Sequence, residues 1–161
     1  MRQRLGNSAL SVADALTAFK SLKGDETLPV QAQLNALLTQ VFFNELKIAG
    51  SASAADKKLG NEGGFAAIDT LFPGQQWKGD LSLFFSRLHT ISGGDINLFI
   101  PGGKVDAGLA VAPSGAGSKP ADELGILAQT QGQINAFVKD DFNVNTSRVF
   151  TLSGGDVLIW S

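Results

Sequence analysis

The chain has 161 residues, within the range of one domain, with 43% hydrophobic and only 17% charged residues, against roughly 25% charged in ordinary globular proteins. A formal net charge of −2 gives no attraction for nucleic acid or for an anionic membrane. Absence of Cys excludes disulfides and thiolate chemistry, the single His89 excludes a multi-His metal site within one chain, and no stretch reaches the ~20 apolar residues of a membrane span.

The N-terminus, Met1-Arg2-Gln3-Arg4-Leu5-Gly6-Asn7, is followed by no apolar run and is not a secretory signal. If the protein is secreted, its signal belongs to a longer precursor. Asn7 or Ser8 caps a helix running to about Lys23, with Leu10, Ala13, Leu16, Ala18 and Phe19 apolar. Gly24-Asp25 ends it. Thr27 caps a second helix, with Pro29 near its first turn. Val30, Leu34, Leu37, Leu38, Val41, Phe42, Leu46 and Ile48 follow the spacing of one buried face, and Gly50 is its stop. The small, polar stretch 51–64 reads as a loop with room for a short helical turn. A third short helix covers Phe65 to Phe72 and ends at Pro73-Gly74.

The period then changes from that of a helix to that of a strand. Gly79-Asp80-Leu81-Ser82-Leu83-Phe84-Phe85 opens an alternating run, and Gly94-Asp95-Ile96-Asn97-Leu98-Phe99-Ile100 repeats it. Gly132-Gln133-Ile134-Asn135-Ala136-Phe137-Val138 and Gly155-Asp156-Val157-Leu158-Ile159-Trp160 follow. The ten residues from Ser86 to Asp95 align without gaps with Ser147 to Asp156, and seven of the ten pairs are identical, which marks an internal repeat. Gly132 to Gly155 is 23 residues, enough for three short strands at 133–138, 142–146 and 148–153. Three strands per ~20-residue turn, joined by Gly, Asn or Asp, describe one coil of a parallel β-helix. Gly94 to Gly132 is 38 residues, one coil plus an insertion of about 15, placed at 112–123 around Pro113-Ser114-Gly115-Ala116-Gly117-Ser118-Lys119-Pro120. Leucine-rich repeats lack a match because their fixed Leu ladder with Asn is missing. An ordinary β-sandwich would not explain the recurring Gly-Asp corner.

Alternation assigns each side chain to a face. Ile96, Leu98 and Ile100, then Ile134, Ala136 and Val138, then Val157 and Ile159, point inward and stack aliphatic on aliphatic about 4.8 Å apart. Asn97 and Asn135 point outward, as do Phe99, Phe137 and Trp160. These three aromatics share one outward position in successive coils and form the candidate binding surface, a platform on which a sugar ring could stack. The alternative is that the N-terminal helices, whose apolar faces need a partner, pack over it. Asp80, Asp95 and Asp156 follow Gly at coil corners. Acidic columns of this kind serve some β-helix lyases and hydrolases, but Gln133 interrupts the column and Asp is an ordinary turn residue. Asp140-Asp141 is a solvated corner, and His89, aligned with Phe150, is a space-filling or surface residue rather than a lone base. Lys23-Gly24-Asp25 and Lys78-Gly79-Asp80 are too short to specify a receptor motif. Gly93-Gly94 and Gly102-Gly103 lack a phosphate-loop continuation. No catalytic, metal or cofactor site is read, and the chain is not expected to be an enzyme.

A series of segments carries a family resemblance. They are the residues from Gly63 to Pro73, then Gly79-Asp80-Leu81-Ser82-Leu83, the Ser92-Gly93-Gly94-Asp95-Ile96-Asn97-Leu98-Phe99-Ile100-Pro101-Gly102-Gly103 run with Val105-Asp106-Ala107-Gly108-Leu109-Ala110, and Asn143-Val144-Asn145-Thr146-Ser147-Arg148-Val149-Phe150-Thr151-Leu152. This series resembles the C-terminal region of filamentous haemagglutinin-like exoproteins of Gram-negative bacteria, from about Leu34 to Ser161. The resemblance implies a secreted, cell-surface fibre exported by two-partner secretion through an outer-membrane transporter. It also implies a long right-handed β-helix and a role in adhesion, aggregation or contact-dependent competition. The family's N-terminal secretion domain, with Asn-Pro-Asn-type motifs, has no counterpart here, so export would depend on a domain outside this chain.

The sequence therefore predicts a mainly β chain. Residues 1–75 form a helical insertion packed on a coil wall, and 76–161 form about three coils of right-handed parallel β-helix, ending mid-coil at Ile159-Trp160-Ser161 as a piece of a longer fibre. The expected partners are adjoining coils of the parent exoprotein, its outer-membrane transporter, and host-surface glycans or proteins. The alternatives are a carbohydrate-binding or carbohydrate-acting β-helix and a cytosolic helical regulator with a β-rich partner domain.

Overall fold

The structure, a computed structural model, describes residues 13–14, 17, 28–57, 61–74, 76–111, 114–115, 117 and 119–161. The chain divides into two compact units, Met1–Gly74 and Gln75–Ser161.

Most of the expected first helix lies outside the described residues. Ala13, Asp14 and Thr17 are helical, and the Thr17 hydroxyl donates to the Ala13 carbonyl at 2.9 Å. Helix α1 spans Leu28–Ala55 and packs against α2, Glu62–Leu71. Its buried side chains are Leu34, Val41, Phe42, Phe43, Leu46 and Ala49, and the Phe42 ring meets Phe72 edge-on with centroids 5.9 Å apart. Two expectations fail here. Gly50 does not stop the helix, because the following Ser51-Ala52-Ser53-Ala54-Ala55 is rich in the best helix former, which offsets the ~1 kcal/mol cost of one glycine. Ile48 is 50% exposed, and Ala49 takes the buried position instead. The third helix starts three residues earlier than expected and ends where expected, with the Phe72 amide donating to Ile68 before Pro73.

The second unit has nine described strands: β1 (Leu81–Ser82), β2 (Arg87–Thr90), β3 (Ile96–Ile100), β4 (Val105–Asp106), β5 (Gly125–Ala128), β6 (Ile134–Val138), β7 (Phe142–Asn143), β8 (Arg148–Thr151) and β9 (Val157–Trp160). They form three three-stranded parallel sheets in the orders β1-β4-β7, β2-β5-β8 and β3-β6-β9. The chain thus visits the three sheets in the same cyclic order on three passes. With its N-terminal helices, the chain is mainly β by element.

Register follows the alternation. Ile96 pairs with Ile134 and Ile134 with Val157; Leu98, Ala136 and Ile159 form the next column. Ile96, Ile126, Ala128 and Ile134 bury together with Ala107, while Val105, Ala136 and Val138 form an adjoining cluster. One strand was not read from the sequence, β5. The two copies of the internal repeat are two passes apart, because Arg87 and Arg148 both pair with Gly125 of β5. The insertion, between β4 and β5, hides the intervening strand, whose Gly125-Ile126-Leu127-Ala128 lacks the repeat's Ser-Arg and Thr. The expected strand 142–146 is also shortened to Phe142–Asn143, since Asn145 adopts φ 54° and leaves the extended region.

Candidate functional site

Three features of the second unit were candidates for chemistry: the Gly-Asp corners, the outward polar and aromatic columns, and the clefts beside them. The corners are built for stacking. Gly94, Gly132 and Gly155 lie one above another so tightly that a Cβ on Gly132 would collide with the Gly94 carbonyl, and one on Gly155 with the Gly132 carbonyl. Gly94 and Gly155 also have positive φ, 104° and 125°. The Thr of each repeat copy closes its own corner: Thr90 donates to the Gly94 carbonyl at 3.3 Å and Thr151 to the Gly155 carbonyl at 2.9 Å.

The corner aspartates act across passes. The Asp80 carboxylate accepts the Lys104 amide at 2.9 Å, and Asp95 accepts the Gln133 amide at 2.9 Å. In each case the donor sits directly in register on the next pass, so the carboxylate satisfies a corner amide that the ladder leaves out. Among the described residues, no group of three or more acidic, His or Cys side chains could hold a metal ion.

Outward polar residues form ladders between the same strands. Asn135 Nδ2 donates to Asn97 Oδ1 at 2.9 Å, and Asn143 Nδ2 to Asp106 Oδ1 at 3.0 Å. Lys104 Nζ lies 3.1 Å from Asp106 Oδ2. Hydrogen bonds from Lys104 first, then Asn143, hold the Asp106 carboxyl below its usual range, and the Asp106 hydrogen bond and charge raise Lys104.

Phe99, Phe137 and Trp160 occupy successive rungs of one column, as the repeat implies. Phe137 is 4% exposed, so its ring face is not open to a ligand, while Phe99 and Trp160 are half-buried. The accessible aromatic beside this column is Trp77, 48% exposed. It lines a cleft of about 280 Å³ with Lys78, Asp80, Phe99 and Pro101. Sequence reading passed over Trp77 because it lies before the first repeat; the signal was a Trp two residues ahead of the Gly79-Asp80 corner. Asp140 and Asp141 are exposed between β6 and β7, and His89 shares an outward column with Leu127 and Phe150.

No protein-family model matches the sequence, and neither curated proteins nor solved structures give a match. No described helix is long and apolar enough to cross a membrane.

Proposed function

We propose that the second unit is about three coils of a right-handed parallel β-helix. In this reading it serves as a non-catalytic structural segment of a secreted fibre, resembling the filamentous haemagglutinin-like adhesins exported by two-partner secretion. The observation that carries this reading is the unbroken parallel register through all three sheets, with corner glycines stacked pass on pass and Asp80, Asp95 and Asn97 each bonded to the next pass. Such a unit gains stability by adding equivalent neighbours, which is the physics of an extended fibre. Right-handedness rests on the general preference of parallel crossovers. The helical unit and the insertion between β4 and β5 are then decorations on the shaft. Protease shaving of intact producing bacteria tests the reading. Release of peptides from 76–161 before any cytosolic marker is the expected result, and their recovery only after lysis would refute it.

A second reading, a carbohydrate-binding β-helix, is favoured by the Trp77–Phe99 cleft, since a half-exposed indole beside a carboxylate and an ammonium suits a sugar ring. A glycan array with the native chain, Trp77→Ala and Trp160→Ala separates the two. Binding lost with Trp77→Ala alone supports the cleft; absence of glycan binding by the native chain excludes it.

A further inference from the structure

Strand β9 is the edge of the β3-β6-β9 sheet, and its inward Val157 and Ile159 stay 44% and 39% exposed. An edge of this kind offers backbone groups and apolar surface to a further parallel strand. Charged residues beside the ladders restrict what can lie on it.

Three columns run through the passes at positions that the strand register fixes. Asp80, Lys104 and Asp141 each stand one residue ahead of the paired Leu81, Val105 and Phe142. Asp95, Gln133 and Asp156 stand one residue ahead of Ile96, Ile134 and Val157. Arg87, Gly125 and Arg148 are paired directly. In each column the first and last passes carry the same charge, and the middle pass carries the opposite charge or none. Successive rungs are about 4.8 Å apart, so the like charges stay about 9.6 Å from one another, close to the screening length of ordinary salt. The pKa of Lys104 is raised first by the Asp106 hydrogen bond and charge, and the carboxylates of Asp80 and Asp141 add to this from the passes on either side. Asp80 and Asp141 lie outside the ten repeated residues, so the alternation extends beyond that repeat.

A second copy laid head to tail on this edge would set its Asp80 on Asp141, its Arg87 on Arg148 and its Asp95 on Asp156, three like-charge contacts at a single strand spacing. A pass with the chemistry of Lys104, Gly125 and Gln133 meets none of them. We propose that the edge of the last pass accepts a parallel β pass bringing a cation to the Asp141 column and uncharged residues to the Arg148 and Asp156 columns, and turns away a second copy of this chain. Charge in the stack then repeats every two passes, while the apolar columns repeat every pass. The inference rests on the stacked register alone and holds whether or not the chain is secreted.

Extending the full chain after Ser161 tests it. One extension repeats 101–138, the middle pass, and a second repeats 77–100, the first pass. A third is that first pass with Asp80→Lys, Arg87→Gln and Asp95→Gln in the appended copy only. Amide hydrogen exchange of Val157–Trp160 reads whether the added pass has stacked. At low salt the middle-pass and recharged extensions should each slow that exchange about tenfold or more relative to the plain first-pass extension. The gap should narrow in about 1 M salt, and the unextended chain should sediment as a monomer at low salt. Absence of slowing with the middle-pass extension overturns the proposal, because the edge then accepts no such pass. So does a recharged extension that behaves like the plain one, or head-to-tail oligomers of the unextended chain at low salt.

Discussion

The middle pass of the β unit and its last pass carry similar residues in the same register, yet they differ sharply in burial. Val105, Ala107, Ile126, Ala128, Ile134, Ala136 and Val138 of the middle pass are at most 1% exposed. Val157 and Ile159 of β9 pair directly with Ile134 and Ala136, yet are 44% and 39% exposed. An inward column is therefore only as dry as the neighbours on both its sides make it. Alternation decides which way a side chain points; stacking decides how much water it loses.

Mutating one rung in each pass sharpens that comparison most. Ile134→Ala removes a fully buried side chain from a column closed on both sides and should cost about 3 kcal/mol in chemical denaturation. Val157→Ala, one rung along, should cost under about 1 kcal/mol because the valine is already half in water. Equal losses would mean that the two passes are not different environments. The next effect is at the corners. Gly132→Ala forces a methyl group onto the Gly94 carbonyl and should destabilise by about 2 kcal/mol, whereas Gly117→Ala, with open space around it, should change little.

Much of the β unit was legible because its signal is periodic and local. Gly-Asp corners, inward aliphatics and the aromatic column recur at matched positions, so register could be read by superposing Ile96, Ile134 and Val157. What escaped was non-local. Strand β5 is short, follows a long insertion and has Gly in place of the repeat's Arg, so sequence reading did not find the strand that lies between the two repeat copies. The corner aspartates were identified as turn residues, but their bonds to amides on the next pass depend on stacking distance. The insertion before β5 is tied to β2 and its approach by Lys119 donating to the Phe85 carbonyl and Arg87 donating to the Asp122 carbonyl, bonds that no spacing rule encodes. Helix α1 overran Gly50 because summed propensity outweighs one unfavourable residue.

Polar ladders give a smaller test of the same contrast. Asn135 is 7% exposed and its amide donates to the exposed Asn97. Asn135→Ala should lower stability by about 1 kcal/mol, the net worth of one partly buried hydrogen bond. Asn97→Ala leaves the buried Asn135 amide without that acceptor and should cost at least as much, although Asn97 is the more exposed of the pair. A smaller loss for Asn97→Ala would show that water replaces the ladder bond on the middle pass, and would erase the distinction between dry and wet rungs for polar groups.

The smallest expected effect is electrostatic and sits on β4, at the centre of the β1-β4-β7 sheet. Asp106 is held ionised by the hydrogen bonds of Lys104 and Asn143, so its folded pKa lies below its unfolded one. The unfolded chain then takes up the proton first as pH falls. The stabilisation is fully present above the ordinary carboxylate value and disappears as pH drops through the lowered folded value. Asp106→Asn should therefore remove part of the acid-induced loss of stability between about pH 5 and pH 2, with little change in slope above it. The pair is solvent-exposed, so 1 M salt should weaken the Lys104 contribution and leave the Asn143 hydrogen bond in place. If the acid slope of the native chain were insensitive to both the substitution and the salt, the Asp106 ladder would be a geometric coincidence of stacking rather than a bond that holds β4 to β7.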